Sequence, residues 1–314
     1  MAQLPTWWDL EKGDGDMSIW LNGASLPVDR FPNGERRWSL TQDWWDRTVR
    51  PKTVSVLSWQ WEDDRDWMDL IMVAGWLRRV QYSVDSLEIA YLPYSRMDRA
   101  PLGAVFSLTS VAEILRDFPA KRVAIVDPHS DVALGMIPKA LAFYPIVSFW
   151  GSLQKAIAFP HMEQYTTALV FPDAGAEKRY ATLFEDEQVL VGVKHRDPTD
   201  GKISYRGFLG DTPQGPWQAV IVDDLCSYGN TFLQSAKALR EAGAEMVYLY
   251  ITHAESAMWQ GDVLTSPLIN RVFTTDTMVA PAHEQTDKCY VWSYWHQRLE
   301  TLAHISGTTK GADR

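Results

Sequence analysis

The residues best suited to chemistry are two adjacent aspartates, Asp223 and Asp224, which end the apolar run AVIVDD at 219–224. A short polar loop and a helical pattern follow them. In an open α/β sheet, ligands bind at the carboxyl ends of the strands. Two carboxylates there could accept hydrogen bonds from a sugar diol or approach Mg2+, and backbone N–H groups of the following loop could hold a phosphate. The same pattern also fits a strand that ends in a turn with a helix-capping aspartate, and the residues alone leave both interpretations open.

Other polar segments place charged residues between predicted elements. They are RFPNGE at 30–35, LPYSRMDR at 92–99, VDPHSD at 126–131 and GVKHRD at 192–197. Taken alone, the first is a turn rich in Pro, Asn and Gly, and KHR is a solvated basic cluster. A lone His after a strand is more often simply hydrogen-bonded. None of these segments assigns a chemistry by itself.

The elements that must position these residues are short apolar runs separated by helical segments, which is the βαβ pattern of a mostly parallel sheet. The predicted buried strands cover 54–59, 122–127, 168–173, 219–224, 246–252 and 271–275. Between the first two, acidic residues open a helix in which one spacing is shared by Trp67, Ile71, Ala74 and Arg78. The sequence therefore predicts an α/β fold.

Length and composition fit two domains, because 314 residues with 46% hydrophobic side chains can fill two cores. Counting strand and helix units places the domains at 17–147 and 148–306, with tails at 1–16 and 307–314. We expect the 15 tryptophans to pack in cores and interfaces rather than to stack on a nucleobase.

Charge and cysteine content exclude several classes of protein. A net charge of -10 argues against a broad nucleic-acid surface, although local basic groups and a divalent ion could still hold small phosphorylated ligands. Two cysteines, Cys226 and Cys289, cannot form a disulfide framework, and the first 20 residues lack the pattern of a signal peptide. The longest apolar stretch is shorter than the roughly 20 residues that span a bilayer. We therefore expect a cytoplasmic protein without a membrane partner.

Several segments carry a family resemblance. VDDLCSYGNT at 222–231 resembles the phosphoribosyl-diphosphate-binding motif of type I phosphoribosyltransferases. LPYSRMDR resembles the Tyr-Ala-Arg-Gln-Asp-Arg stretch of ribose-phosphate diphosphokinases, and RFPNGE resembles their Phe-Ser-Asp-Gly-Glu loop. VDPHSD, FPDAGAEKR at 171–179 and GVKHRD stand where that family has Asp-Leu-His, Pro-Asp-Ala-Gly-Gly and a flexible Lys-Arg-Arg loop. ITHAES and RVFTTDT follow in the family's order, so the resemblance runs from about residue 17 to 277.

The resemblance implies two type I phosphoribosyltransferase-like domains, each a mostly parallel sheet flanked by helices. It also implies a Mg2+-dependent transfer in which the anomeric hydroxyl of a phosphorylated ribose attacks the β-phosphorus of ATP and AMP leaves. A homo-oligomer is expected on the same ground.

Site residues carried over from the family fall into four groups. Lys194 and Arg196 would neutralise the transferring phosphates, and His129 and Asp173 would approach Mg2+. The ATP side would consist of Phe31, Asn33, Glu35, Arg96, Asp98 and His129. The acceptor side would consist of the diol-binding Asp223 and Asp224 and the phosphate loop Ser227, Tyr228, Gly229, Asn230 and Thr231.

The chain departs from the family at three places. Met97 replaces a glutamine, Ala176 replaces the second glycine after PDAG, and SYGNT replaces Asp-Thr-Ala-Gly-Thr or Asp-Gly-Gly-Gly-Thr in the phosphate loop. Because Tyr228 and Asn230 add bulk where backbone N–H groups must close around a compact dianion, a terminal phosphate should fit less well. The loop resembles what ADP-ribose pyrophosphate synthetases of phage NAD-rebuilding pathways would need. The sequence therefore favours ADP-ribose as acceptor, with ribose 5-phosphate as the alternative.

Two rival functions remain. A phosphoribosyltransferase proper shares the paired aspartates but has no need of the 30–35, 92–99 and 192–197 segments. A non-catalytic regulatory subunit should have lost its charged transfer residues, yet Lys194, Arg196, Asp223 and Asp224 are all present.

Overall fold

The computed structural model divides the chain into two compact units. One comprises Met1–Phe143 with Ser293–Arg314, and the other comprises Tyr144–Trp292. The structure describes residues 18–49, 54–100, 102–158, 165–185, 187–196, 203–278 and 286–306, without the side chains of 194–196, 203–206, 305 and 306. We call the two parts unit 1 and unit 2.

Unit 1 is built on a mixed sheet with the strand order β2-β1-β5-β6-β7-β8. Its strands are β1 (Ile19–Leu21), β2 (Ala24–Ser25), β5 (Val56–Trp59), β6 (Ser86–Ile89), β7 (Val123–Val126) and β8 (Ala140–Phe143). The last four run parallel, and β1 pairs antiparallel with β2 and β5. A separate antiparallel hairpin joins β3 (Val28–Arg30) to β4 (Arg36–Trp38). The strands predicted at 54–59 and 122–127 are confirmed.

Helices cover both faces of this sheet. They are α1 (Gln42–Thr48), α2 (Arg65–Arg79), α3 (Ser107–Arg116), α4 (Asp131–Met136) and α8 (Tyr294–Ser306). Residues of α2 and α3 share one core with Ile19 and Leu21, whereas Trp295 and Leu299 of α8 pack with Trp20. Because successive strand residues face opposite sides, β1 contributes to both cores.

The α2 helix confirms the predicted helix but corrects its buried face. Its buried apolar residues are Trp67, Leu70, Val73, Ala74 and Leu77, at intervals of three and four. Ile71 is 39% exposed, so its predicted place on that face is wrong. Trp59 and Trp67 pack with ring centroids 4.7 Å apart, in line with a packing role for these tryptophans.

The α8 helix lies in unit 1 rather than with residues 148–292. Arg298 donates to both carboxylate oxygens of Glu88 in β6, and this ion pair raises the pKa of Arg298 against the effect of burial. Gly23, with φ +78°, lets the chain pass close to α8, since a Cβ there would lie 2.2 Å from the Leu299 carbonyl oxygen. The sequence-based division placed residues 148–306 together, and these long-range contacts were not visible to it.

Unit 2 contains a sheet with the strand order β11-β10-β9-β12-β13-β14-β15. Its strands are β9 (Thr166–Phe171), β10 (Val189–Arg196), β11 (Ile203–Leu209), β12 (Trp217–Cys226), β13 (Met246–Ala254), β14 (Arg271–Thr275) and β15 (Cys289–Trp292). All neighbours pair in parallel except β10 and β11. The predicted strands at 168–173, 219–224, 246–252 and 271–275 correspond to β9, β12, β13 and β14.

Alternating residues of β12 face two different cores in unit 2. Ala219 and Ile221 pack with α7 (Asn230–Glu241), whereas Val220 and Val222 pack with α5 (Pro145–Ala158) and α6 (Ala174–Tyr180). The fold is therefore the predicted α/β class, with mostly parallel sheets flanked by helices. Among the described residues, no helix combines the length and apolar character needed to cross a membrane.

Candidate active site

The paired aspartates lie in β12 at the carboxyl edge of the unit 2 sheet. β9 pairs with β12 only as far as Ile221, whereas β13 pairs with it through Cys226. Asp223 and Asp224 therefore lie just beyond the end of β9. Their side chains are 16% and 6% exposed, so both are nearly buried but remain at the sheet edge where ligands bind.

Arg179 joins the two aspartates, and the sequence interpretation missed it. Its Nη1 atom lies 3.0 Å from Oδ1 of Asp223 and 2.8 Å from Oδ1 of Asp224. The Asp224 backbone N–H donates to the same Asp223 oxygen at 2.9 Å. Arg179 is the last residue of the FPDAGAEKR segment, but nothing in its spacing pointed to partners 44 and 45 residues away. One guanidinium thus holds both carboxylates.

Charge and burial perturb the groups at this edge. Burial raises the pKa of Asp223 well above its ordinary value, and the neighbouring Asp224 charge raises it further, while Arg179 opposes both. Burial, followed by the Asp223 charge, raises the pKa of the Cys226 thiol to about 12. Cys226 is therefore a protonated packing residue at neutral pH, not a nucleophile.

The loop after β12 packs tightly against the segment that follows β13. Gly229 has φ +82°, and a Cβ on it would lie 1.9 Å from Cγ2 of Val263. A Cβ on Gly261 would lie 2.3 Å from the Tyr228 carbonyl oxygen. The Tyr228 residue is nevertheless 54% exposed. The loop therefore has a fixed backbone and a tyrosine open to solvent.

The start of α7 gives this loop a means of holding an anion. Asn230 opens the helix and Thr231 follows it, while the Gly229 carbonyl accepts the N–H groups of Phe232 and Leu233. The first N–H groups of a helix have no partner within it, and the helix dipole favours negative charge there. The predicted phosphate loop begins at Ser227, three residues after Asp224. Chain connectivity alone therefore places the loop beside the aspartate pair.

Asp173 caps α6. Its Oδ1 atom accepts hydrogen bonds from the N–H groups of Gly175 and Ala176, each at 3.0 Å. Mg2+ takes carboxylate oxygens, water and phosphate oxygens, and usually only one or two protein carboxylates. Among the described residues, no group of three or more His, Cys, Asp or Glu side chains could hold a metal. The chemistry of Asp173 fits a Mg2+ ion only if substrate phosphates complete its ligands.

The predicted ATP loop RFPNGE is the tip of the β3–β4 hairpin. Phe31 N–H donates to the Glu35 carbonyl, Gly34 N–H donates to the Phe31 carbonyl, and Oδ1 of Asn33 accepts the Glu35 N–H. Phe31 is 45% exposed, and the Arg37 guanidinium lies 5.3 Å from its ring centroid. The loop therefore presents an open aromatic ring on a closed, hydrogen-bonded turn.

A buried ion cluster anchors this hairpin to α2. Arg36 pairs with Asp66 at 3.2 Å and with Asp69, and the three side chains are 7%, 3% and 3% exposed. Oδ2 of Asp66 also accepts the backbone N–H groups of Glu62 and Asp63. The base of the predicted ATP loop is thus tied to the first turns of α2.

The SRMDR loop is attached to the same end of α2. The Tyr94 hydroxyl donates to Asp64 at 2.5 Å, which raises the pKa of Tyr94, and Ser107 holds the Tyr94 carbonyl at 3.2 Å. Tyr94 has φ +64°, a conformation that costs a non-glycine residue energy. The structure therefore fastens both predicted ATP loops to the start of α2, through Asp64 and Asp66, a link that the sequence did not reveal.

The remaining predicted ATP-side residues are Arg96, Asp98 and His129. Arg96 is exposed and Asp98 half-buried, 3.8 Å from Arg99, while His129 is half-buried between β7 and α4. Their predicted roles stay predictions.

Lys194 and Arg196 lie in β10 rather than in a loop. Lys194 pairs with Tyr205 and Arg196 with Ile203 in the antiparallel ladder, with a register shift between Gly192 and Lys194. The described backbone up to 196 is therefore a strand, and the flexibility predicted for this segment stays a prediction. The side chains of both residues lie outside the described part of the chain, so their role in transfer stays a prediction.

Comparison with known proteins places this geometry in context. No family model matches the chain. Three curated relatives are each named ribose-phosphate pyrophosphokinase. The protein of Haemophilus ducreyi is 26% identical over 92% of this chain and 90% of its own length. Those of Buchnera aphidicola subsp. Schizaphis graminum and Shewanella oneidensis are 26% and 28% identical over 83% and 80% of this chain, and over 80% and 78% of their own lengths.

A solved structure extends the comparison to the fold. Phosphoribosylpyrophosphate synthetase from Mycobacterium smegmatis superposes with a TM-score of 0.62 over 90% of each chain at 19% identity. Relatives and fold together support the ribose-phosphate pyrophosphokinase family. The fold predicted from the resemblance is thereby confirmed. The relatives named here carry no reference to ADP-ribose, so they do not support the finer assignment to an ADP-ribose branch.

Proposed function

We propose that the protein transfers the β,γ-diphosphate of ATP to the anomeric hydroxyl of ribose 5-phosphate. The observation that carries this proposal is the Asp223–Asp224 pair at the carboxyl edge of the sheet, followed by a helix-start loop, in a chain similar over most of its length to ribose-phosphate pyrophosphokinases. In the reaction the hydroxyl oxygen forms a bond to the β-phosphorus, the bond to the α-phosphate oxygen breaks, and AMP and the hydroxyl proton are released.

Unit 2 supplies the acceptor side. Asp223 and Asp224 accept hydrogen bonds from the ribose 2- and 3-hydroxyls, and the loop 227–231 binds the 5-phosphate through backbone N–H groups at the start of α7. Lys194 and Arg196, at the end of β10, neutralise the charge of the diphosphate as it is transferred. Positioning of this kind supplies much of the catalysis in phosphoryl transfer, since the protein contributes little covalent chemistry.

Unit 1 supplies the ATP side. Phe31 offers an exposed ring to adenine, and Asn33, Glu35, Arg96, Asp98 and His129 provide polar contacts. Mg2+, when bound with ATP, offsets phosphate charge and orients the diphosphate. Asp173 and His129 are each proposed, from the family resemblance, as residues that would approach the ion. We also expect a homo-oligomer.

ADP-ribose is a second candidate acceptor, favoured by one observation. Tyr228 is 54% exposed on a loop whose backbone is fixed by Gly229 and Gly261. An open aromatic side chain at the phosphate end could lie along an acceptor that continues into a diphosphate and adenosine. The product would then be ADP-ribose 1-pyrophosphate, for use in NAD resynthesis.

The two acceptors are separated by one experiment. Purified protein is incubated with Mg2+ and ATP, with ribose 5-phosphate and ADP-ribose in parallel, and AMP is quantified. Faster AMP release with ribose 5-phosphate supports the main proposal, and faster release with ADP-ribose supports the second candidate. No AMP with either sugar would overturn both. AMP release in the absence of any base also argues against a phosphoribosyltransferase proper.

A variant tests catalysis against a regulatory role. Lys194→Ala should abolish AMP formation and leave the oligomer intact, whereas the exposed Asp211→Asn in the same unit should leave AMP formation unchanged. Unchanged activity in Lys194→Ala would refute the role given to that lysine.

A further inference from the structure

Arg179, Asp223 and Asp224 form one hydrogen-bonded cluster of charged groups at the proposed acceptor site. One guanidinium nitrogen binds an oxygen of each carboxylate, at 3.0 and 2.8 Å, and the Arg179 side chain is 9% exposed. Arg179 and the Asp224 backbone N–H both donate to Oδ1 of Asp223. These two bonds fix the orientation of the Asp223 carboxylate.

The position of Arg179 is set by a short, well-anchored helix. Asp173 caps the start of α6, Ala176 and Tyr180 bury its apolar side, and the Arg179 guanidinium lies 5.3 Å from the centroid of the buried Tyr180 ring. An arginine held over a ring and hydrogen-bonded to two carboxylates loses little further freedom when a ligand arrives. The helix therefore presents the guanidinium to β12 in advance.

The contact between Arg179 and the two aspartates offsets the repulsion between neighbouring carboxylates. Two adjacent carboxylates near an anionic sugar phosphate would repel each other and the ligand, and a pair that shares a proton offers fewer acceptor sites. Among the described residues, the charged groups that shift the pKa of Asp223 are Asp224 on its own strand and Arg179 and Asp173 on the neighbouring element. Arg179 is the single cation among them. It reduces the local charge and fixes the orientation of both carboxylates.

We propose that Arg179 is the positioning residue for the acceptor: its guanidinium holds Asp223 and Asp224 in the orientation that accepts the two ribose hydroxyls. This inference rests on the proposed function. Removing Arg179 should weaken acceptor binding and leave ATP binding unchanged.

The test compares the effect of an Arg179 variant on KM for ribose 5-phosphate with its effect on KM for ATP. Arg179→Met should raise KM for ribose 5-phosphate roughly tenfold or more, while KM for ATP changes less than about twofold. Ethylguanidinium added to this variant should restore part of the activity, which a merely structural defect would not allow. Lys237→Met, which removes an exposed lysine of α7 that pairs only at the surface with Glu241, should change neither constant.

A second variant covers the case in which Arg179→Met does not fold. Arg179→Lys keeps the charge and N–H donors for the carboxylates but loses the planar group that lies near the Tyr180 ring, so KM for the acceptor should rise by a smaller factor. An unchanged acceptor KM in both variants, or a change confined to KM for ATP, would overturn the inference.

Failure of the proposed function is recognised separately. If the wild-type protein releases no AMP with ribose 5-phosphate, binding of ribose 5-phosphate is measured by calorimetry for wild type and the Arg179 variants. Weaker binding in the variants supports the inference without the activity. Equal binding, or no binding to the wild type, overturns it.

Discussion

In the part of the chain that the structure describes, each unit holds a cluster of one arginine and two aspartates, and the two clusters differ in their surroundings. In unit 1, Arg36 joins Asp66 and Asp69, which are three residues apart on α2. In unit 2, Arg179 joins Asp223 and Asp224, which are adjacent at the end of β12. Both sets are nearly buried. The first lies between a hairpin and a helix, whereas the second lies at the sheet edge where ligands bind.

This difference assigns the clusters opposite effects on stability. Asp66 receives two backbone N–H bonds in addition to the arginine, so the unit 1 cluster fastens the hairpin to α2. In unit 2 the pKa of Asp223 is raised by burial and by the adjacent Asp224, which means that its charged form is held at a cost. Charge arranged against stability is typical of functional sites. The same three residue types therefore serve as an anchor in one unit and as a binding group in the other.

The largest expected effect is on the stability of unit 1. Arg36→Met leaves Asp66 and Asp69 buried without their cation, and breaking a buried pair in this way costs about 3–5 kcal/mol. The urea midpoint should fall accordingly. The matched control is Arg37→Met in the same strand, which removes an exposed pair with Asp29 and should cost less than about 1 kcal/mol. Equal losses in the two variants would remove the distinction between anchor and surface pair.

The second prediction reverses the pattern in unit 2. Asp223→Asn keeps an oxygen for Arg179 and the Asp224 N–H but removes a charge, so kcat/KM for the acceptor should fall about 100-fold, or ~2.7 kcal/mol. The urea midpoint should not fall, because repulsion from Asp224 is relieved. Because the pKa of Asp223 is higher in the folded than in the unfolded protein, ionisation of Asp223 lowers the free energy of unfolding as pH rises above the unfolded-state pKa of about 4. A large loss of stability in Asp223→Asn would make the two clusters equivalent.

The third prediction compares the glycines of the two predicted substrate loops. Gly229→Ala places a Cβ 1.9 Å from Val263 at φ +82°, which should cost about 1–3 kcal/mol and reduce acceptor binding. Gly34→Ala in the hairpin has a similar φ of +89° but meets no atom within 4 Å, so only the backbone cost of about 1 kcal/mol remains. Val263→Ala combined with Gly229→Ala should recover part of the loss. Additive losses in the double variant would show that the Val263 contact does not set the cost.

The sequence predicted the strand-end aspartates and the loops, but it did not predict the long-range contacts that hold them in place. Strands such as β9 and β12 are readable because apolar runs and turn residues are local signals. The Arg179 bridge and the tie of Arg36 to α2 join residues about 30 to 45 positions apart in the chain, and local patterns do not encode such pairs. The same limit explains the C-terminal helix, whose Arg298 meets Glu88 across 210 residues.

The smallest expected loss of stability comes from removing one surface ion pair, Lys121–Asp85, which serves as a reference for the two buried clusters. Lys121 lies 2.6 Å from Asp85, and this bond, with the Ser55 N–H, lowers the pKa of Asp85 to about 2. Because the folded pKa is below the unfolded value of about 4, the stabilisation is present above about pH 4 and is lost as pH falls through about 2. Lys121 is mostly exposed, so Lys121→Ala should cost less than about 1 kcal/mol at pH 7 and nothing measurable near pH 2. Urea midpoints of wild type and variant at the two pH values test this, and a difference that persists at pH 2 would mean that Lys121 stabilises the fold by packing rather than by its charge.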